Sequence, residues 1–248
     1  MLLSLLDGSS ILVILAALFF LALSEKFLKS SFSIISDTIL HVGAVFTLVG
    51  VIGVLVTLED PNRLGPAMSI AFLCFAYAIV IKTLVTSNNL EYEEPNENFF
   101  LRGVSTFGFL ALVVFSMIRV GPLGMFYDTK IAVIVIILII SLYIIASIGK
   151  QKQGAFIFKR LPLLGFFLVL VSILLILGNL QNPKEIGSAI GFGLLGLLYT
   201  LLLSIIVRIL IPSIVLESEE TSKVATLTFV IPFLLSVLGI FFALLYIV

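Results

Sequence analysis

Eight stretches of this sequence are apolar for about as long as a hydrocarbon bilayer is thick, and no other feature limits the possible folds so sharply. A helix needs ~20 mostly apolar residues to cross ~30 Å at 1.5 Å per residue. Runs of this kind lie at about Ser10–Ser24, Ile34–Leu58, Leu64–Val85, Leu101–Val120, Lys130–Gly149, Leu161–Leu180, Ile186–Leu210 and Leu227–Val248. The chain is 61% hydrophobic and 11% charged, with a mean hydropathy of +1.31, whereas an ordinary soluble domain is roughly 25% charged. A water-soluble fold of 248 residues has too little interior to hide that much apolar surface. The expected fold is an all-α integral membrane protein with eight transmembrane helices, because hydrocarbon admits only backbone that satisfies its own hydrogen bonds. The first run is short, but Met1–Leu6 carries no positive charge, which argues against a cleaved signal peptide.

Several function classes fall away on composition. With 14 basic and 14 acidic residues the net charge is zero, so no nucleic-acid partner is expected. A single cysteine, Cys74, and a single histidine, His41, make neither a disulfide nor a Cys/His metal site. There is no nucleotide loop, nucleophile elbow or carboxylate pair in a cleft; neither a cofactor, a metal nor an enzymatic activity is expected. The basic residues instead report orientation. With the N-terminus outside, Lys26, Lys29, Lys82, Arg102, Lys150, Lys152, Lys159, Arg160, Arg208 and Lys223 fall on the cytoplasmic side, and Arg63, Arg119, Lys130 and Lys184 outside. That asymmetry predicts a multi-pass protein of the cell (inner) membrane with both termini extracytoplasmic.

The chain also repeats itself. Asp60-Pro61-Asn62-Arg63-Leu64-Gly65 has a second version, Asn182-Pro183-Lys184-Glu185-Ile186-Gly187, and Pro61 to Pro183 is an offset of 122 (183 − 61). Without a gap, the same offset takes Gly43 to Gly165, Leu58 to Leu180, Gly65 to Gly187, Ala67 to Ala189, Tyr77 to Tyr199 and Thr106-Phe107 to Thr228-Phe229. The unit is therefore four helices, predicted over residues 1–122 and again over 123–248. An even number of crossings per unit makes the two repeats parallel rather than inverted. Each Asp/Asn-Pro connection is short enough only for a tight helical hairpin.

The run Gly43-Ala44-Val45-Phe46-Thr47-Leu48-Val49-Gly50, followed by Leu58-Glu59-Asp60-Pro61-Asn62-Arg63-Leu64-Gly65-Pro66-Ala67-Met68-Ser69-Ile70-Ala71-Phe72-Leu73, resembles the third and fourth membrane helices of the flagellar stator A subunits (MotA/PomA), within the MotA/TolQ/ExbB proton-channel family. The resemblance centres on a hairpin at about 39–86, with a degenerate echo at about 161–210. It implies assembly with other membrane chains, in a homo-oligomer or hetero-complex, around a single-pass partner helix whose carboxylate carries a proton or sodium ion past hydroxyls of this chain. Thr47 falls on the family's glycine-threonine motif. The threonine pair expected in the next helix is Cys74-Phe75 here, and the second copy has Val169, Gly196 and Leu197, so most of the hydroxyl lining is missing. The family's large cytoplasmic domain is also missing, since the corresponding loops are only Glu25–Ser33 and Lys150–Arg160.

Residue by residue, the candidates for an ion path are Thr47, Cys74 and His41. Asp37, Lys82, Arg102, Arg119 and Arg208 lie near predicted helix ends, where long side chains reach the interface. His41 lies deeper and suits a proton relay or a packed histidine; its second-copy counterpart is Leu163. Thr47 alternatively bonds the carbonyl one turn back. Small residues mark packing faces: Gly43, Thr47, Gly50 and Gly53 on the second helix, Ala67, Ala71, Cys74 and Ala78 on the third, and Gly187, Gly191, Gly193 and Gly196 on the seventh. Asp60, Pro61, Gly65 and Pro66, with Asn182, Pro183 and Gly187, define the hairpin turns. Phe99-Phe100 and Phe126-Tyr127 serve as interface anchors. The leading expectation is a non-enzymatic membrane subunit of the stator/ExbB type. The alternatives are a small-solute transporter built from two parallel repeats and a purely structural assembly factor.

Overall fold

A computed structural model describes residues 8–27, 30–56, 61–86, 98–149, 153–179, 181–211, 229–231 and 233–234. Every regular element among them is helical: α1 (Gly8–Ser24), α2 (Ser30–Val56), α3 (Pro61–Thr86), α4 (Phe99–Val120), a 3-10 turn (Leu123–Phe126), α5 (Thr129–Ile148), α6 (Gln153–Gly178) and α7 (Pro183–Leu210). The eighth run, Leu227–Val248, lies mostly outside the described residues, although 229–231 and 233–234 within it are helical.

Among the described residues, five helical stretches are long and apolar enough to cross a membrane, in α2, α4, α5 with its preceding turn, α6 and α7. The chain therefore has the make-up of a multi-pass membrane protein. Of the remaining expected crossings, α1 has 17 residues, and α3, 26 residues long, holds a shorter apolar stretch, Ile70–Val85, among the described residues. Hydropathy also misjudges where helices begin. α2 starts at Ser30 and α6 at Gln153, ahead of the runs at Ile34 and Leu161, because polar residues continue a helix after its apolar stretch ends. In α6 the added turns hold Arg160, whose guanidinium lies 3.5 Å from the Phe156 ring centroid and donates to the Phe156 carbonyl at 3.3 Å.

The helix ends follow local chemistry. Asn98 caps α4 by accepting from the Leu101 N–H, and Asp128 caps α5 by accepting from Lys130 and Ile131 at 2.8 and 3.3 Å. α1 ends where Lys26 and Phe27 take left-handed conformations, with φ of 55° and 57°, and Phe27 N–H returns to the Ala22 carbonyl at 2.9 Å. Left-handed residues commonly close a helix this way, but two in succession without glycine make it a sharp, strained reversal.

The described helices group into two compact units. Unit 1 comprises Met1–Phe126 and Ile205–Ser213, and unit 2 comprises Tyr127–Ser204 and Ile214–Val248. In unit 1, α2 is the central helix and α1, α3 and α4 pack against it. Its span Ile34–Leu55 is 94% buried, as expected of a helix apolar on all sides inside a bundle. Phe46 of α2 and Phe109 of α4 meet edge to face across this core, with ring centroids 6.3 Å apart. In unit 2, α5 packs on α6, yet only 17% of its span is buried, so Ile136, Ile140, Ile144 and their neighbours face outward.

Candidate functional site: an ionic cluster and a glycine seam in unit 1

The hairpin α2–α3 is sealed by small residues. A Cβ placed on Gly43 would stand 2.5 Å from the Ala78 Cβ and 3.3 Å from the Phe75 Cα. One on Gly50 would run into the Ala71 backbone, 2.6 Å from its Cα, and stand 2.7 Å from the Ala67 carbonyl oxygen. These pairs fix an antiparallel register that sets Thr47 opposite Cys74, with Gly43 and Gly50 one turn to either side. Positions 43, 47 and 50 share one face of α2, and 67, 71, 74 and 78 one face of α3. Gly43, Gly50, Ala67 and Ala71, which the sequence marks as packing residues, all lie at this close approach. Gly53 leaves the seam: a Cβ there would meet Val120 of α4.

Unit 2 has a seam of its own between α6 and α7. Gly165 faces Thr200 and Leu197, and Gly193 faces Ser172, whose Cβ and Oγ lie 2.6 and 2.7 Å from the added Cβ. The Ser172 hydroxyl donates to the Ala189 carbonyl at 2.6 Å. Gly191, expected as a packing residue, takes no part in this seam among the described residues. A Cβ there meets nothing within 4 Å, and the same is true of Gly187. The reason is angular: residues 189, 193, 196 and 200 share a face at helical spacing, whereas 191 is two residues, or about 200°, away from 193.

Thr47 is almost fully buried, and its hydroxyl has no hydrogen-bond partner among the described residues. Its backbone carbonyl neighbour one turn back is not used. That sets it apart from Thr83, Thr106, Ser116, Ser141 and Ser147, each of which donates to the carbonyl four residues earlier. Thr38 and Ser105 of unit 1 are also buried hydroxyls without a partner among the described residues. A buried polar group left unmatched costs about 1–3 kcal/mol.

His41 belongs elsewhere, with charged groups that the sequence places singly at helix ends. At one end of unit 1, Lys82 of α3 donates to the Ser36 carbonyl at 2.6 Å and to the Ser36 hydroxyl at 3.0 Å. Arg208, in the last turn of α7, donates from Nη1 to the Asp37 carbonyl at 2.6 Å. Two cationic heads from different helices thus sit on adjacent carbonyls of α2. The Asp37 carboxylate is within electrostatic range of both, and so is His41, one turn further into α2. Lys82 is 9% exposed and His41 7%. At the same end, Glu25 after α1 pairs with Arg102 of α4 at 3.4 Å, and Glu25 is 1% exposed. Asp37, Lys82, Arg102 and Arg208 do not stand alone near helix ends but have partners inside the unit. Arg119 is exposed, as expected.

The structure brings Thr47 and Cys74 together and keeps His41 apart: it is six residues, or ~9 Å of helix, from Thr47 and on a different face. Cys74 is a buried free thiol. Of the hairpin-turn residues, Asp60 lies outside the described residues, Pro61, Gly65 and Pro66 fall in the first turns of α3, and Pro183 opens α7. Asn182 precedes it, with its amide donating to Glu185 at 3.0 Å, and Gly187 lies one turn in. No group of three or more His, Cys, Asp or Glu side chains is placed to hold a metal among the described residues.

Fold and site together define a class, a multi-pass all-helical membrane protein with an ionic cluster at one end of its first unit. Compared with protein-family models, curated proteins and solved structures, the chain matches none.

Proposed function

We propose that the protein is a non-enzymatic membrane subunit of the MotA/TolQ/ExbB type, made of two tandem, parallel four-helix repeats and assembling with other membrane chains in the inner membrane. The supporting observation is the register of the two seams. Gly43 opposite Ala78 becomes Gly165 opposite Thr200, and Gly50 opposite Ala71 becomes Ser172 opposite Gly193, with both partners displaced by 122 each time. Chance similarity of composition would preserve apolar runs but has no reason to preserve which residue faces which.

The hairpin that carries the family resemblance is also the one holding the unmatched Thr47 hydroxyl, a ready ligand for a proton-bearing water, a sodium ion or a partner carboxylate. Because α2 is 94% buried, a partner helix reaches Thr47 only by entering beside the α2–α3 seam, so the ion path, where one exists, is completed by the partner's own acidic residue. Purification of the full chain from its native membrane tests this: a co-purifying single-pass protein with a membrane carboxylate is expected, and a partner-free monomer overturns it. Thr47→Val separates conduction from scaffolding, since unchanged ion-dependent activity leaves a purely structural role.

The ionic cluster favours a second reading, a small-solute transporter. Ionisable groups inside a membrane bundle by default mark a pathway. Substrate-dependent flux in liposomes containing only this chain would establish that reading over the first.

A further inference from the structure

We infer that the left-handed turn closing α1, with the Glu25–Arg102 pair behind it, is a latch: a two-state element whose opening parts the end of α1 from α4 while the rest of unit 1 stays folded. Closed, the turn holds its backbone in strain. Lys26 and Phe27 have φ of 55° and 57°, a conformation in which the Cβ of an L-residue crowds the following carbonyl oxygen. Lys26 is itself exposed, so the strain is imposed by the contacts around it. The amides of Glu25 and Phe27 both donate to the Ala22 carbonyl, at 3.2 and 2.9 Å, and the Phe27 ring leans on Phe19 with centroids 5.6 Å apart.

What the closed turn brings together is poorly matched. α1 and α4 run antiparallel through two contacts: a Cβ on Gly108 would meet the Phe20 ring, and Arg102 Nη2 donates to Glu25 Oε1 at 3.4 Å. A hydrogen bond between ionised groups is ordinarily about 2.7–2.9 Å. Arg102 Nε, on the same edge of the guanidinium as Nη2, is buried with no partner among the described residues. Ser105, which lies between the two contacts on α4, is fully buried, and its hydroxyl also has no partner among the described residues. Both groups gain by meeting water, and the backbone at Lys26 and Phe27 relaxes in the same movement. The buried apolar stripe of α1, Val13, Ile14, Ala17 and Leu21, stops short of the turn, so the last turn can part without undoing it. Local opening draws on segments of this kind. The latch rests on neither the ion path nor the repeat, so each idea can fail alone.

The test labels a thiol behind the latch. The full chain carrying Ser105→Cys and Cys74→Ala is reconstituted in lipid nanodiscs and exposed to iodoacetamide, a small neutral reagent. The control is Ser172→Cys in the same background, buried in the seam of unit 2. Positions 105 and 172 are each six residues from a helix end, at Phe99 and Gly178, or ~9 Å at 1.5 Å per residue. Where reclosing outruns labelling, the rate tracks the open population. Ser105→Cys is expected to label about tenfold faster than Ser172→Cys or more. Lys26→Gly, which accepts the left-handed turn, should slow that labelling about fivefold, and Lys26→Val, which resists it, should speed it about fivefold. Neither should change the rate at Ser172→Cys. Arg102→Gln, which leaves Glu25 without its guanidinium, should also speed labelling at Ser105→Cys. Labelling of Ser105→Cys as slow as that of Ser172→Cys overturns the inference, and so does a rate indifferent to residue 26. An equal change at Ser172→Cys overturns it as well, because the motion would then be unfolding of the whole chain.

Discussion

Gly50→Ser is the sharpest perturbation of the hairpin. A Cβ at this position would lie 2.6 Å from the Ala71 Cα and 2.7 Å from the Ala67 carbonyl oxygen, against 3.4 Å or more for ordinary contact. The obstacles are backbone, which cannot swing aside, so α2 and α3 must separate by most of an ångström. Overpacking of a tight core costs about 1–3 kcal/mol, and a backbone obstacle puts this case near 3. Unit 2 shows how a serine is accommodated there. At the position 122 residues on, Ser172 faces Gly193 and donates to the Ala189 carbonyl at 2.6 Å. Ala67 is the residue matching Ala189, and Ala71 matches Gly193.

The double change Gly50→Ser with Ala71→Gly therefore imports the second unit's solution, including an acceptor for the new hydroxyl. Ala71→Gly alone should cost about 1 kcal/mol through helix propensity. If the two changes were independent the pair would cost about 4 kcal/mol; the structure predicts about 1–2 kcal/mol, a coupling of roughly 2–3 kcal/mol. Unfolding of the detergent-solubilised full chain, run as a double-mutant cycle, measures it. Gly191→Ser is the control, with nothing within 4 Å and an expected change within ~0.5 kcal/mol. A Gly50→Ser protein as stable as the Gly191→Ser one refutes the close approach, and a coupling near zero refutes the equivalence of the two seams.

Two further outcomes follow from the same unfolding assay. Thr47→Val should leave stability unchanged or raise it by up to ~1 kcal/mol, because it removes a buried hydroxyl without a partner, while Thr106→Val should lower it by about 1 kcal/mol through loss of the 2.9 Å bond to the Arg102 carbonyl. Glu25→Gln, which strands Arg102 in a buried setting, should cost about 3–5 kcal/mol, and the double change Glu25→Gln with Arg102→Gln should cost less than that single one.

Hydropathy located the helices well because length and apolarity are local properties. It could not distinguish enclosure from exposure, since lipid is as apolar as a protein core. α2 and α5 both qualify as crossings by that measure, yet the span of one is 94% buried and that of the other 17%. The distinguishing residues were in the sequence: α2 carries Gly43, Gly50 and Gly53 on closely packed faces, whereas α5, Thr129–Ile148, contains no glycine and is rich in isoleucine. The seams were legible from their small residues except at Gly53, which approaches α4, and at Gly187 and Gly191, which lie on another face of α7 and approach nothing among the described residues.

The ionic cluster was only partly legible. Once Gly43 is set against Ala78, the antiparallel register carries Asp37 and Ser36 to the neighbourhood of Lys82, so that pairing follows from the hairpin itself. Arg208 does not. It is distant in sequence from both, and nothing in the pattern of runs tells that the last turns of α7, from Ile205, group with unit 1.

The two proposed copies have kept different things. The residues 122 positions beyond Asp37, His41, Thr47 and Lys82 are Lys159, Leu163, Val169 and Ser204, so the second copy offers no carboxylate, no imidazole and no threonine at these places. The close-packed seam survives in both, with glycine moved from one helix to the other between Gly50 and Gly193. Packing tolerates such an exchange because it requires only that one partner of each facing pair be small. Ionic chemistry does not, because a cation opposite a leucine has nothing to balance it. Two scaffolds with chemistry in one of them is what selection for a shared framework, but for a single site, would leave behind.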